Sequence, residues 1–161
     1  MRKKFLLWIT GFSMCFFLSL SLACATSYGI PRELEGYFIR DDPVWKIVQI
    51  REGLEYEEAW QKIVDLISRK FDIEVLDEGA GYVRTAWKYG YGISREDLRR
   101  TNYKVRVVVK FPPEKHMRNK WFRVRTEANY AFGTTWLEGF DNRLLKEIYS
   151  DLQGQVGRLV K

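Results

Sequence analysis

Apolar residues recur at intervals of three and four positions in two segments of the chain. The first segment runs from Tyr56 to Phe71 and the second from Leu144 to Leu159. A period near 3.6 residues gathers such side chains on one side of a helix, which then has to be buried. Asp141 precedes the second segment and is predicted to cap it, because an Asp side chain accepts hydrogen bonds from free N–H groups. The pattern therefore predicts two amphipathic helices.

Between these helices the apolar and polar residues alternate, which is typical of half-buried strands. Alternation extends from Tyr103 to Phe111 and from Trp121 to Tyr130. Two shorter segments, 73–76 and 81–88, flank the turn residues Asp77-Glu78-Gly79 and predict a hairpin. The order of helix, strands and helix predicts an α+β fold. We expect an antiparallel four-stranded sheet with both helices packed on one face.

The first 24 residues have the layout of an export signal. Arg2, Lys3 and Lys4 form a positively charged start, an apolar segment follows from Phe5, and a small residue precedes Cys24. The segment Leu20 to Cys24 resembles the lipobox of bacterial lipoproteins, in which signal peptidase II cuts before a cysteine that carries a diacylglycerol. The resemblance implies that residues 1–23 are removed and that the lipid on Cys24 anchors the protein to a membrane.

Two other fates of this segment remain open. Ala23-Cys24-Ala25 also fits the A-x-A pattern of ordinary signal-peptide cleavage, which would release a soluble periplasmic protein. Alternatively, the apolar segment from Phe5 to Ala23 approaches the ~20 residues that span a bilayer and could stay as an uncleaved anchor. The only other cysteine, Cys15, lies within this segment. All three alternatives place the folded part outside the cytoplasm.

Cleavage before Cys24 leaves 161 − 23 = 138 residues, which suits one domain with its own core. Glycine and proline are frequent over residues 24–54, and we predict a lipid-anchored tether there, with an edge strand at 44–50. Residues 55–161 are predicted to form a single α+β domain. The net charge of +6 includes the three cations of the signal, so the mature value is +6 − 3 = +3.

Three stretches of the predicted domain resemble BamC/NlpB-type outer-membrane lipoproteins. They are Ala59-Trp60 in the first helix, Phe71 to Asp77 in the next strand, and Gly81 to Trp87. The resemblance covers about Tyr56 to Lys161 and implies a helix-grip fold and an accessory role in outer-membrane protein assembly. This chain has one such domain where the family has two.

Side chains suited to catalysis or metal binding are sparse. His116 is the only histidine and lies in a polar turn, so a zinc site lacks ligands and a serine nucleophile lacks a base. Adjacent carboxylates such as Asp41-Asp42 are typical of turns and helix caps. We therefore predict a binding protein and not an enzyme, with no cofactor and no metal.

The polar side of the predicted sheet carries a candidate binding site. If the apolar residues face the helices, six cations lie on the opposite face with Glu127: Arg84, Lys104, Arg106, Lys110, Arg123 and Arg125. Such a cluster attracts anionic lipid, lipopolysaccharide or an acidic protein surface. A solvated sheet face also needs charge for its own sake, since charged residues prevent aggregation at sheet edges.

A second candidate site lies in the segment 131–140, predicted to be an irregular loop. It carries Phe132, Trp136 and Phe140 between glycines. Exposed aromatic side chains favour protein or membrane contacts. The alternative is that Trp136 and Phe140 fill the gap between the sheet and the last helix.

The leading functional prediction is a lipid-anchored envelope protein that acts as a scaffold in outer-membrane protein assembly. Ala25 follows the anchor cysteine in place of Asp, and in lipoproteins of a Gram-negative cell this implies delivery to the outer membrane, here on its periplasmic face. The alternative function is a periplasmic module that binds lipid or lipopolysaccharide through the basic face. The expected partners are the membrane, an envelope complex or anionic lipid; the compartment excludes nucleic acid.

Overall fold

The computed structural model of the protein describes residues 34–91, 103–112 and 120–158. All of these belong to one compact unit that begins at Pro31. The predicted signal peptide, Cys24 and His116 lie outside the described residues. Within the described ranges, no helix is both long enough and apolar enough to cross a membrane.

Both helices form where the period of 3.6 residues predicts them. Helix α1 covers Tyr56–Ser68 and helix α2 covers Asn142–Val156. The side chain of Asp141 accepts a hydrogen bond from the Leu144 N–H at 2.8 Å. This contact satisfies one of the free N–H groups at the start of α2, and it confirms Asp141 as the cap.

An ion-pair cluster joins the end of α1 to the middle of α2. The Lys70 ammonium lies 2.7 Å from Glu147 and 2.6 Å from Asp151, and the Tyr91 hydroxyl donates to Glu147. Burial lowers the pKa of Lys70, but the hydrogen bonds to Asp151 and Glu147 outweigh it and hold the pKa above its ordinary value. Lys70 therefore remains charged and links the two helices.

The sheet has eight antiparallel strands, so the prediction of a four-stranded sheet is wrong. The strands run along the path β1-β8-β7-β6-β4-β3, with β2 paired to β7 and β5 paired to β6. Their bounds are β1 Phe38–Ile39, β2 Lys46–Gln49, β3 Ile73–Asp77, β4 Tyr82–Thr85, β5 Lys88–Tyr89, β6 Tyr103–Lys110, β7 Trp121–Phe132 and β8 Thr135–Asp141.

The additional strands show no clear alternation in the sequence, because most of them are short or irregular. Strands β1 and β5 have two residues each, too few to show a period. Strand β8 lies in the segment predicted to be irregular, where Gly133 adopts a left-handed φ of 59° and permits the tight turn from β7. Strand β2 corresponds to the strand predicted over 44–50.

Strand β7 has twelve residues and is longer than each strand that pairs with it, so one of its edges can pair with two strands in succession. One of its edges pairs with β6. The other edge pairs first with β2, over Trp121–Val124, and then with β8, over Ala128–Phe132. The two short strands β2 and β8 thereby share one edge of β7. Because β1 pairs with β8, the chain from β1 to β2 has to run along this edge of β7.

The hydrophobic core lies between the helices and one face of the sheet, which we call the inner face. Alternate residues of β6 and β7 are buried there, and the rings of Trp60 and Phe111 pack with centroids 5.7 Å apart. Residues 34–54 contribute further buried side chains to this core, namely Leu34, Phe38, Val48, Ile50 and Leu54.

A buried polar group ties the sheet to the start of α2. The Tyr103 hydroxyl donates to the Asp141 carboxylate at 2.8 Å, and the Thr126 hydroxyl donates to the Asp141 backbone carbonyl at 2.8 Å. All three residues are fully buried. Burial, and then the charge of Asp141 and this hydrogen bond, raise the pKa of Tyr103 above its ordinary value.

The raised pKa of Tyr103 predicts a loss of stability in alkali. In the unfolded chain the phenol ionises near its ordinary pKa of about 10, whereas in the folded protein it keeps its proton. The stabilisation is therefore complete below pH ~10, and above it the free energy of unfolding falls by about 1.4 kcal/mol per pH unit from this group. In Tyr103→Phe the fall should be less steep by that amount. Urea unfolding of both proteins from pH 9 to 11 measures the difference, and identical slopes would contradict it.

Candidate functional site

The six predicted cations lie together on the outer face of the sheet, the face turned away from the helices. The register between β6 and β7 pairs Lys104 with Asn129, Arg106 with Glu127, and Lys110 with Arg123. Directly paired residues of antiparallel strands point to the same side. Arg125 and, from β4, Arg84 are both register partners of Val108. The structure therefore groups all six in space.

Glu127 joins two of these arginines at the centre of the face. A guanidinium nitrogen of Arg106 lies 2.6 Å from Glu127 Oε2, and Arg125 donates to Glu127 Oε1. The Glu127 side chain is only 13% exposed, so both contacts are largely shielded from water. One carboxylate thus holds two guanidinium groups in fixed positions.

Tryptophan rings support the same arginines from outside. The Arg106 guanidinium lies 4.3 Å from the Trp87 ring centroid. Arg123 and Arg125 lie 4.5 and 4.6 Å from the centroid of Trp45. These distances are within the range of cation–π attraction. The face therefore carries the connected series Trp87, Arg106, Glu127, Arg125, Trp45.

Lys104 extends this arrangement toward the β7–β8 hairpin. Its ammonium lies 4.3 Å from the ring centroid of Trp136, 4.8 Å from that of Trp87 and 5.9 Å from that of Tyr89. Three aromatic rings thus surround one ammonium. We call the whole set the cation–aromatic row: Trp45, Trp87, Tyr89, Lys104, Arg106, Arg123, Arg125 and Trp136.

The remaining predicted cations lie at the margin of the row. Arg84 forms an ion pair with Glu74 at 3.1 Å, and Lys110 lies beside its register partner Arg123. Between them Val108 points outward yet is only 1% exposed. The stems of the surrounding long side chains account for this burial.

The places of Trp87 and Tyr89 in the row were not predicted, because the strand at 81–88 is broken. Arg84 pairs with Val108 of β6, and Lys88 pairs with Val105 of β6. Between these two pairs the chain advances 88 − 84 = 4 residues on the β4–β5 side but only 108 − 105 = 3 residues on β6. The extra residue reverses the alternation. It turns Trp87 and Tyr89 outward, although unbroken counting from Val83 places Trp87 inside. Trp45 lies on the same face because it stands two residues before Ile47, the register partner of Arg123.

The segment predicted to be an aromatic loop is part of the β7–β8 hairpin, and its three aromatic side chains lie in different environments. Trp136 is 40% exposed and belongs to the cation–aromatic row, whereas Phe140 is 5% exposed and buried. Phe132 is half-buried at the end of β7. Of the three, only Trp136 joins the row.

A cavity of about 560 Å³ opens on the outer face. Its floor contains Arg106, Arg125 and Glu127, its sides include Trp87, Asn129 and Glu138, and residues 40–43 cross one side of it. We call residues 40–43 the strap and this space the strap cavity. The buried Arg125 Nε has no hydrogen-bond partner among the described residues.

Metal ligands do not assemble in the part of the chain that the structure describes, since no three His, Cys, Asp or Glu side chains there are placed to hold an ion.

No protein-family model matches this chain, and no curated protein matches it significantly.

Proposed function

We propose that this protein is a lipid-anchored binding protein of the cell envelope that docks a protein partner through the cation–aromatic row, as an accessory factor in outer-membrane protein assembly. The observation that carries the proposal is the composition of the row. It consists of Trp, Tyr, Arg and Lys side chains, and Trp, Tyr and Arg are enriched among the residues that dominate protein–protein binding energies. The likeness of residues 56–161 to BamC/NlpB-type lipoproteins supports the assembly role.

The order already present in the row favours docking. Glu127 and Trp87 hold Arg106, and Glu127 and Trp45 hold Arg125. Immobilising a free side chain at an interface costs about 0.5–1.5 kcal/mol. Side chains that are fixed before binding avoid much of this cost. A face of restrained Arg and Trp side chains is therefore well suited to docking against a protein surface.

The anchor is tested by the intact mass of the membrane-extracted protein, with and without Cys24→Ala. We expect a mature N-terminus at Cys24 with added acyl mass, and loss of that mass in the variant. An unmodified chain beginning at Thr26 would mean a soluble periplasmic protein and would remove the lipid anchor from the proposal.

Docking is tested by copurification with the outer-membrane β-barrel assembly complex. In the double variant Trp136→Ala/Arg123→Ala we expect recovery of that complex to fall at least tenfold, because both side chains lie on the row and are partly exposed. Gln61→Ala, on an exposed position of α1, is the control and should copurify normally. Equal recovery by both variants, with melting temperatures unchanged, would show that the row is not the docking surface.

The second candidate function is binding of anionic lipid or lipopolysaccharide, favoured by the excess of cations on the outer face. Within the described ranges, the six cations there form ion pairs with two carboxylates, Glu74 and Glu127. Vesicles of phosphatidylethanolamine with and without phosphatidylglycerol test this function. Salt-sensitive binding that requires phosphatidylglycerol and is lost in Arg106→Glu/Arg123→Glu would favour it over protein docking.

A further inference from the structure

The strap is attached to the sheet by the residues before and after it. The strap follows β1, whose Phe38 and Ile39 pair with Asp141 and Phe140 of β8. Gly139, beside this pair, permits the close approach, since a Cβ there would lie 2.2 Å from the Ile39 carbonyl oxygen. After the strap, Trp45 is fixed against Arg123 and Arg125. Both ends of the strap are thus held to the sheet.

The floor of the cavity holds a buried donor that has no hydrogen-bond partner among the described residues. Arg125 directs one guanidinium nitrogen to Glu127, whereas its buried Nε has no hydrogen-bond partner among the described residues. A buried polar group without a partner costs about 1–3 kcal/mol. Because the Nε is buried, a ligand in the cavity does not reach it, and the polar groups open to a ligand are those at the sides.

The sides of the cavity offer further polar groups. Asp41, Asp42, Asn129 and Glu138 line it, and no hydrogen bond or ion pair within the described ranges engages their side chains. The carboxylates accept hydrogen bonds, and the Asn129 amide both donates and accepts. Pro43 and Trp87 supply apolar surface beside them. The lining therefore combines donors, acceptors and apolar patches.

The charge of the lining disfavours an anionic ligand in this cavity. Three arginines line it against four carboxylates: Arg40, Arg106, Arg125, Asp41, Asp42, Glu127 and Glu138. The formal sum is 3 − 4 = −1. A simple cation fits poorly too, because the floor presents two guanidinium groups. A neutral ligand rich in hydroxyl groups meets both kinds of partner, since each hydroxyl donates and accepts.

We infer that the strap cavity binds a neutral oligosaccharide. Sugar hydroxyls would accept from the Asn129 amide and donate to Asp42 and Glu138, while the C–H surface of a sugar ring would rest on Trp87 and Pro43. A volume of about 560 Å³ lies within the ~300–1,000 Å³ of small-ligand sites. This inference goes beyond partner docking, because the residues that it uses at the sides of the cavity are not those of the docking test.

Calorimetric titration of the full chain tests the inference, in a detergent without a sugar headgroup. The probes are cellotriose and tri-N-acetylchitotriose as neutral trisaccharides, and trigalacturonate as an anionic one. We expect saturable binding of at least one neutral probe, with an affinity unchanged between low and high salt because no net charge is neutralised. Asn129→Ala and Asp42→Asn should each weaken it at least tenfold, and Gln61→Ala should leave it unchanged.

Several results would overturn the oligosaccharide site. They are failure of both neutral probes to bind, equal affinity in Asn129→Ala and the unaltered protein, or binding of trigalacturonate alone. Melting curves show that each variant is folded before it is titrated. Since Asn129 and Asp42 are not part of the docking test, loss of sugar binding with normal copurification separates a failure of this inference from a failure of the proposed function.

Discussion

Replacing Asp141 with alanine should destabilise the domain by about 3 kcal/mol, with a fall in melting temperature of about 10 °C. The carboxylate accepts hydrogen bonds from the Leu144 N–H and the Tyr103 hydroxyl, each at 2.8 Å. Loss of a helix cap costs about 1 kcal/mol, and a buried hydroxyl without a partner costs about 1–3 kcal/mol. Thermal and urea unfolding of the purified protein measure the change.

Two further variants separate the parts of this effect. Asp141→Asn keeps an oxygen that can accept from Leu144 and an amide that can pair with the Tyr103 hydroxyl, so the expected loss is under about 1 kcal/mol. In Asp141→Ala/Tyr103→Phe no hydroxyl is left unpaired, so the double variant should lose less than the sum of the single losses. Strict additivity would mean that the two side chains do not interact in solution.

The period of the sequence predicted the helices and the long strands because each has enough residues to repeat its pattern. Tyr103–Lys110 and Trp121–Phe132 bury alternate residues, as their sequences require. The number of strands was not recoverable in the same way. Strand β1 has two residues, and it exists because Phe38 and Ile39 find partners on β8, which is a tertiary condition that no local pattern records.

The cations of the outer face and Glu127 were predictable, but the tryptophans that contact the arginines were not. Alternation alone places Arg106 and Arg125 opposite the apolar residues of their strands. Their confinement by Trp87 and Trp45 depends on an irregularity between β4 and β5 and on where the chain returns after the strap. As a result the sequence indicates a cluster of free positive charges, whereas the structure has an ordered row in which Glu127 and the tryptophans already engage the arginines.

Replacing Glu127 with glutamine should destabilise the domain by about 2 kcal/mol and alter what the outer face binds. Glutamine has the same shape as Glu127 but lacks the negative charge that lies between the guanidinium groups of Arg106 and Arg125. Removing one partner of a buried ion pair costs about 3–5 kcal/mol, and the cost is lower here because the two arginines remain partly exposed. Without the carboxylate, the lining of the strap cavity becomes formally neutral, and anions should bind more strongly to the outer face.

Glu74→Gln is the matched control, since it removes the carboxylate from the more exposed pair with Arg84 on the same face. We expect this change to cost less than about 1 kcal/mol. In Arg106→Gln/Glu127→Gln the repulsion between guanidinium groups is relieved, so part of the stability lost in Glu127→Gln should return. Urea unfolding compares all three variants. Equal losses in Glu127→Gln and Glu74→Gln would show that Glu127 is an ordinary surface carboxylate, and the ordered row would then not depend on it.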